Sequence, residues 1–347
     1  MVVDDSAVIR GAIIRILDTE AGFKVVATVA NGQMAVDRLR REKIDVIVLD
    51  IEMPEMDGVT ALPHLLAVDP DVRIIMASTL TQRNADISIR ALQAGASDYV
   101  PKPTSASGLS TGDFKREIVE KIKVLGAARK RRSLAKTASN AGAPAAPALR
   151  KAGLTKPGIL AIGSSTGGPQ ALSAFMSSLR KDLGVPVVIT QHMPPMFTNL
   201  LAEHMAKSTG WRCKEGAAGE ILMPNTAYIA PGDYHMTIVP FAGGHKIELD
   251  QNPSENFCRP SVDPMLRSVT RGFGGRVLTV ILTGMGSDGC KGSQTVVDAG
   301  GTVLAQDEAS SVVWGMPGAV ARAGLCAALL PPPQLAAKVN TMITGAP

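Results

Sequence analysis

Aromatic residues make up only 3% of this 347-residue chain, so its cores must be assembled mainly from Val, Ile, Leu, Met and Ala. With 45% hydrophobic residues overall, that composition suits sheets buried on both faces by helices. Cysteine is sparse as well. Cys213, Cys258, Cys290 and Cys326 lie far apart, without the close pairs of a zinc site or the framework of a small secreted domain, and read as reduced, mostly packing residues. No basic-then-apolar leader opens the sequence and no apolar run is long enough to cross a bilayer, so a cytoplasmic protein without membrane insertion is expected. The net charge of +5 comes largely from Arg129, Lys130, Arg131 and Arg132, with Lys136, Arg150, Lys151 and Lys156 nearby. No aromatic side chains interleave with that run and no helix-turn-helix pattern accompanies it, so it reads as a solvated helix end and not as a nucleic-acid contact.

What is present is alternation of strands and helices, in two blocks. In the first block, strands are expected at Val2–Val3, Lys24–Val29, Asp45–Leu49, Val72–Ala77 and Ser97–Val100. Helices fall between them, and a last one runs from Phe114 to Arg132. Five alternations predict a (βα)5 domain over residues 1–132, a doubly wound parallel sheet with helices on both faces. Its first strand is short: either the true start lies upstream of Met1 or that strand is frayed. Residues 133–156, rich in Ala, Pro, Lys and Gly, read as a flexible linker. Alternation resumes over 157–347 as a second doubly wound parallel α/β domain, with small strands and hairpins between Gly219 and Leu249. The Pro331–Pro333 run is expected to interrupt the chain before a final helix from Gln334.

Two groups of residues carry chemistry. In the first domain, Asp4 and Asp5 close the first strand, Asp50 the third, Ser78 the fourth, and Lys102 follows the fifth. Ligand sites of open parallel sheets lie at the carboxyl ends of the strands, so these residues converge. Carboxylates without imidazole or thiolate suit Mg²⁺, Lys102 supplies a compact positive charge, and the Ser78 hydroxyl is placed to bond phosphoryl oxygens. The stretches VVDDSAVIRG, VIVLDIEMPEMDG, MASTLT and GASDYVPKP resemble the receiver domain of bacterial two-component response regulators. That resemblance implies a phospho-accepting Asp50 and Mg²⁺ held by Asp4, Asp5, Asp50 and the backbone carbonyl of Glu52. It also implies a phosphorylation switch made of Ser78, Tyr99 and Lys102.

In the second domain, Gly158 to Gly168 reads GILAIGSSTGG, an apolar strand that breaks at small residues before a helix with Pro169 near its start. Ser165 is the central residue of a literal G-x-S-x-G, where a hydroxyl stands above the sheet near a helix N-terminus. A dinucleotide fingerprint is absent. Of five histidines, His192 alone closes an apolar strand, and Asp288 follows the strand that ends near Leu282. A serine, a histidine and an aspartate on three strand ends meet the needs of nucleophile, general base and orienting acid, although Asp288 also reads as a helix cap. Their chain order differs from that of α/β-hydrolases.

The stretches GSSTGGP, ITQHMPPMFT, AYIAPGDYHM, RPSVDPM and ILTGMGSDG look like the catalytic domain of bacterial chemotaxis protein-glutamate methylesterases, with Ser164 replacing an alanine usual in that turn. The resemblance implies a catalytic triad of Ser165, His192 and Asp288, with Thr166 and Met285 supporting the oxyanion. It implies hydrolysis of glutamate methyl esters on chemoreceptors, releasing methanol, and deamidation of receptor glutamines. Neither reaction needs a cofactor, and Mg²⁺ serves receiver phosphorylation. The implied partners are methyl-accepting chemoreceptors and the chemotaxis histidine kinase, for a monomer recruited to membrane-bound receptor arrays. Unphosphorylated, the receiver would cover the cleft and face Ser165. Another ester or amide substrate, or a non-catalytic binding domain, are the alternatives.

Overall fold

A computed structural model describes residues 1–79, 81–102, 111–137 and 147–345, so Pro103 and the central part of the expected linker lie outside the described residues. The chain divides into two compact units, Met1–Ala141 and Gly142–Pro347.

The first unit runs β1 (Val2–Val3), α1 (Ala7–Asp18), β2 (Thr28–Val29), α2 (Gly32–Arg41), β3 (Val46–Asp50) and α3 (Gly58–Val68). It continues with β4 (Arg73–Ser78), α4 (Gln82–Gln93), β5 (Asp98–Pro101) and α5 (Thr111–Thr137). The sheet order is β2-β1-β3-β4-β5, with every pair parallel. Strand β3 is a near-continuous apolar run because helices cover both faces of it. Asn31 and Asp57 cap α2 and α3 by accepting hydrogen bonds from the N–H groups of Met34 and Thr60, so each helix starts at a defined residue. The expected strand over Lys24–Val29 shrinks to Thr28–Val29, because β1 offers only Val2 and Val3 as ladder partners. Beside this short edge lies a cavity of about 340 Å³ lined in part by Met1, Phe23, Ile44 and Ile122. Met1 is buried there, its backbone nitrogen donating to the Val46 carbonyl at 2.8 Å.

The second unit opens with β6 (Ile159–Ser164), α6 (Gly168–Ser178), β7 (Val187–Gln191), α7 (Phe197–Thr209), β8 (Arg212–Glu215) and β9 (Thr226–Ile229). An antiparallel hairpin follows, β10 (His235–Phe241) with β11 (Gly244–Asp250), and then α8 (Val262–Phe273), β12 (Val277–Ile281) and α9 (Cys290–Asp298). The unit closes with β13 (Thr302–Gln306), α10 (Met316–Arg322), β14 (Cys326–Leu330) and α11 (Pro332–Thr344). Seven parallel strands order as β14-β13-β12-β6-β7-β9-β8. Successive strands leave β6 toward β7 on one side, and β12 lies against its other side, so the sheet's topological switch falls at β6.

Two strands escape the sequence pattern. β14 is a short apolar run without alternation, and β8 alternates at a sheet edge. The Pro331–Pro333 run does not interrupt the end of the chain. Pro332 and Pro333 form the first turn of α11, where a missing N–H has no cost. Part of the segment expected to be a flexible tether is fastened to the second unit. The Arg150 N–H donates to the Cys326 carbonyl at 2.9 Å, and the Gly153 N–H to Thr302 Oγ1 at 2.8 Å.

The loop after β3 folds back tightly: the Gly58 N–H donates to the Ile51 carbonyl at 2.9 Å, and a Cβ at Gly58 would stand 2.0 Å from the Asp50 carbonyl oxygen. Gly58→Ala is therefore expected to destabilise the first unit by about 1–3 kcal/mol. Gly126→Ala, in α5 where a Cβ meets only ordinary contacts, should stabilise it by up to about 1 kcal/mol. Denaturant titrations followed by circular dichroism distinguish the two signs.

Candidate functional site

In the first unit, Asp4, Asp5 and Asp50 meet at the carboxyl ends of β1 and β3, with one carboxylate oxygen of each within 4.8 Å of the others. Lys102, just past β5, places Nζ 2.6 Å from Asp4 Oδ2 and 2.6 Å from Asp50 Oδ1. Burial raises the Asp50 pKa, and Asp4 adds to the rise while Lys102 opposes it. Asp4 Oδ2 is buried and, apart from its charge contact with Lys102, accepts no hydrogen bond. An all-oxygen set of three clustered carboxylates fits Mg²⁺. Glu52 lies two residues past the end of β3, in the loop that Gly58 closes.

Ser78, at the end of β4, is buried and shares a hydrogen bond with Ser88 Oγ at 3.2 Å. Tyr99, in β5, is buried too, and burial raises its phenol pKa well above the ordinary value. Lys121 lies over the Tyr99 ring at 5.0 Å, held by Asp98 and Glu117.

In the second unit, Ser165, His192 and Asp288 follow three strands that neighbour one another. Ser164 pairs with Gln191 in the β6–β7 register, and Gly163 with Ile281 in the β12–β6 register. The His192 N–H extends the ladder to the Ser164 carbonyl at 3.1 Å, which sets His192 beside Ser165. The turn after β6 demands small residues. A Cβ at Gly168 would stand 1.9 Å from Gln191 Oε1, and one at Gly284 would stand 2.8 Å from Ser165 Cβ. Gly167 takes φ 74°, the left-handed region that glycine enters freely.

The two adjacent hydroxyls separate cleanly. Ser164 is fully buried and donates to Gln191 Oε1 at 2.7 Å, while Gln191 Nε2 returns a bond to the Ser165 carbonyl at 3.0 Å. Ser165 is the partly exposed hydroxyl.

His192 Nε2 bonds Asp288 Oδ2 at 2.7 Å. Its Nδ1 faces Cys258 Sγ at 3.3 Å, and no hydrogen bond joins Ser165 Oγ to His192 among the described residues. The structure thus brings the histidine and aspartate into direct contact and places the serine alongside without bonding it. Cys258 was expected only to pack; it lies far from His192 in sequence and had no signal of its own. Burial opposes charge on the imidazole, but the Cys258 sulfur and the Asp288 carboxylate outweigh it and raise the pKa to about 10.

Asp288 is buried, which favours its neutral form, yet its pKa falls to about 2 because His192, the Val262 N–H and Ser261 Oγ bond the carboxylate. It also accepts from Asn256 Nδ2 at 2.8 Å and from the Asp263 and Gly289 N–H groups at 3.1 and 2.9 Å. Asn256 and Ser261 are further site residues that sequence reasoning missed. Thr166 is buried, its carbonyl receiving Thr283 Oγ1 at 3.0 Å. Met285 is partly exposed, and its N–H donates to no partner among the described residues. A free amide near a partly exposed serine and a buried histidine–aspartate pair is an arrangement able to carry acyl transfer.

Comparisons with known proteins give the family of each unit. A family model described as CheB methylesterase matches residues 160–339, and one for the response regulator receiver domain matches residues 1–111. A protein-glutamate methylesterase/protein-glutamine glutaminase of Azospirillum brasilense is 56% identical over 350 residues, covering 95% of this chain and 89% of that protein. One from Paramagnetospirillum magneticum is 53% identical, covering 97% and 93%. The crystal structure of the Thermotoga maritima CheB methylesterase catalytic domain matches with a TM-score of 0.53 and 38% identity, over 54% of this chain and all of that one. With relatives this similar over nearly its whole length, the chain belongs to the CheB methylesterase family, with a receiver domain ahead of the methylesterase domain.

Proposed function

We propose that this protein hydrolyses glutamate γ-methyl esters on chemoreceptors, releasing methanol, and deamidates receptor glutamines, under control of phosphorylation at Asp50. The observation that carries the reading is the His192–Asp288 pair at the strand end beside the partly exposed Ser165. Residues 1–132 are the regulatory domain, 157–347 the catalytic domain, and 133–156 the connection between them.

Ser165 Oγ attacks the γ-carbonyl carbon and gives its proton to His192. Because Nε2 is taken by Asp288, Nδ1 is the nitrogen that receives it, exchanging its contact with Cys258 for one with Ser165. The free Met285 N–H and the backbone at Thr166 stabilise the oxyanion. Collapse of the tetrahedral intermediate breaks the bond to methoxide, which leaves as methanol with the proton from His192. A glutamine side chain loses ammonia in the same way. Water, deprotonated by His192, then attacks the acyl-serine and releases glutamate. Asp288 stabilises the imidazolium that forms and fixes the ring.

In the receiver, Asp50 accepts the phosphoryl group from the chemotaxis histidine kinase. Asp4, Asp5, Asp50 and the Glu52 carbonyl would hold Mg²⁺, which offsets the repulsion between the acidic pocket and a phosphoryl group. Lys102 is placed to pair with the phosphorylated side chain, and Ser78 and Tyr99 form the switch that responds to it. Action on receptors brings this protein to membrane-bound arrays. No helix among the described residues is long and apolar enough to cross a membrane.

Methanol release from methylated receptor membranes, with and without a small phosphodonor and Mg²⁺, tests both halves. Ser165→Ala should lower the rate by roughly 10²–10⁴-fold. Asp50→Ala should abolish the stimulation by phosphodonor; equal stimulation of that variant would refute the regulatory assignment. The pH profile is a separate test. His192 must be neutral to accept the serine proton, and its raised pKa, about 10, puts the rising limb of kcat/KM above the ordinary histidine range. Cys258→Ala removes one contact that raises it, so the limb should move to lower pH; an unmoved limb would show that the sulfur does not tune the base.

A further inference from the structure

We propose that Phe257 anchors the substrate polypeptide: its ring, with Met196 and Tyr234 around the same mouth, packs on apolar side chains that flank the esterified glutamate. This deepens the methylesterase reading and rests on it.

The turn that carries Phe257 is closed in both directions, by Glu255 N–H to the Cys258 carbonyl at 3.2 Å and Cys258 N–H to the Glu255 carbonyl at 2.9 Å. Its two central residues, Asn256 and Phe257, have φ of 54° and 62°. Paired left-handed residues in a two-residue turn are the geometry for which Asn-Gly is the preferred sequence. Asn256 suits its place, and its amide is used twice, donating to Asp288 Oδ1 at 2.8 Å and Asp263 Oδ2 at 3.0 Å. A phenylalanine in the second place is strained, and the strain persists only because the surroundings hold the turn. Arg267 clamps Glu255 on one side, and Cys258 touches His192 Nδ1 on the other.

Among the described residues of its unit, nothing accounts for the ring. Phe257 is 96% exposed, so it buries no area to offset the strain. Its position does have a consequence: the residues on either side touch Asp288 and His192, so the exposed ring is carried on the turn that supports the site. Two neighbouring loops repeat the arrangement. Met196, four residues after His192, has φ 74° and is 41% exposed, and Tyr234, next to Asp233 at φ 67°, is 38% exposed. The three loops are in contact. A Cβ on Gly232 would stand 2.1 Å from Pro195 N, and the Asp233 N–H donates to the Arg259 carbonyl at 3.1 Å. Apolar groups held rigidly at the mouth of a hydrolytic site, without mutual burial, form a rim suited to a polypeptide whose reactive glutamate enters between them. Aromatic anchors of this kind carry a large share of binding energy.

The test compares full-length wild type, Phe257→Gly and Phe257→Tyr with phosphodonor present, on methylated receptor membranes and on N-acetyl-glutamate γ-methyl ester. Glycine enters the left-handed region freely, so Phe257→Gly should raise the unfolding midpoint. The same variant should lower kcat/KM on receptor membranes by about tenfold or more, with the small ester hydrolysed at the wild-type rate. Phe257→Tyr should restore receptor activity. An equal loss on both substrates would mean that the residue acts through His192 and would overturn the proposal. Receptor activity unchanged in Phe257→Gly, or increased as for a ring that contacts the chain's own receiver, would overturn it as well. Absence of methanol release from wild type would overturn the methylesterase reading itself, and the anchor with it.

Discussion

The carboxylate of Asp288 takes six hydrogen bonds at once, and the catalytic unit is arranged around the need to supply them. Four donors converge on Oδ1 (Asn256 Nδ2, Ser261 Oγ and the Asp263 and Gly289 N–H groups), and two on Oδ2, the Val262 N–H and His192 Nε2. A buried anion would otherwise be driven to its neutral form, and it is these donors that hold its pKa down to about 2. The donors come from the turn at 255–258, the start of α8, the start of α9 and the end of β7, so one charge fastens four segments. Asp288 thus serves the first turn of α8, and not the helix from Gly289 that its sequence position suggested, through the same carboxylate that bonds His192.

Both units use the rule that parallel strands deliver their ends to one edge, and they part company in what the ends carry. In the receiver, the ends of β1 and β3 carry carboxylates whose burial pushes Asp50 up in pKa, with Asp4 adding to the rise, and Lys102 sits between the two and opposes it. In the catalytic unit, the ends of β6, β7 and β12 need room more than charge. Gly163, Gly168 and Gly284 each stand where a Cβ would collide with Val262, Gln191 or Ser165. The glycine-rich turn is therefore a packing requirement of the site first, and it leaves Ser165 partly exposed.

The same comparison explains what was legible beforehand. Ser165, His192 and Asp288 could be assembled from strand ends alone, because hydrophobic periodicity locates strands and the parallel-sheet rule converts sequence separation into proximity. The choice between Ser164 and Ser165 could not be made on the same physical ground. It turns on which hydroxyl follows the pleat into the interior, where Gln191 Oε1 accepts the Ser164 proton. Cys258 and Asn256 were invisible for a similar reason: they lie on an irregular turn, whose path no periodicity predicts. In the receiver the short β1 was plain from the sequence, but its effect on β2 was not, since a strand exists only where a partner supplies hydrogen bonds.

Local chemistry, then, was the province of the sequence: which residues stop each strand, which turns require glycine, and which side chains are able to serve as nucleophile, base, acid and phospho-acceptor. Tertiary structure alone decided which atoms meet. His192 presents Nε2 to Asp288 and Nδ1 to Cys258 and not to Ser165, and Phe257 is held facing solvent in a conformation that its own side chain disfavours. The physical reason is that strand and helix formation are set by short-range periodicity, whereas ring orientation and a strained turn are imposed by contacts between segments distant in the chain.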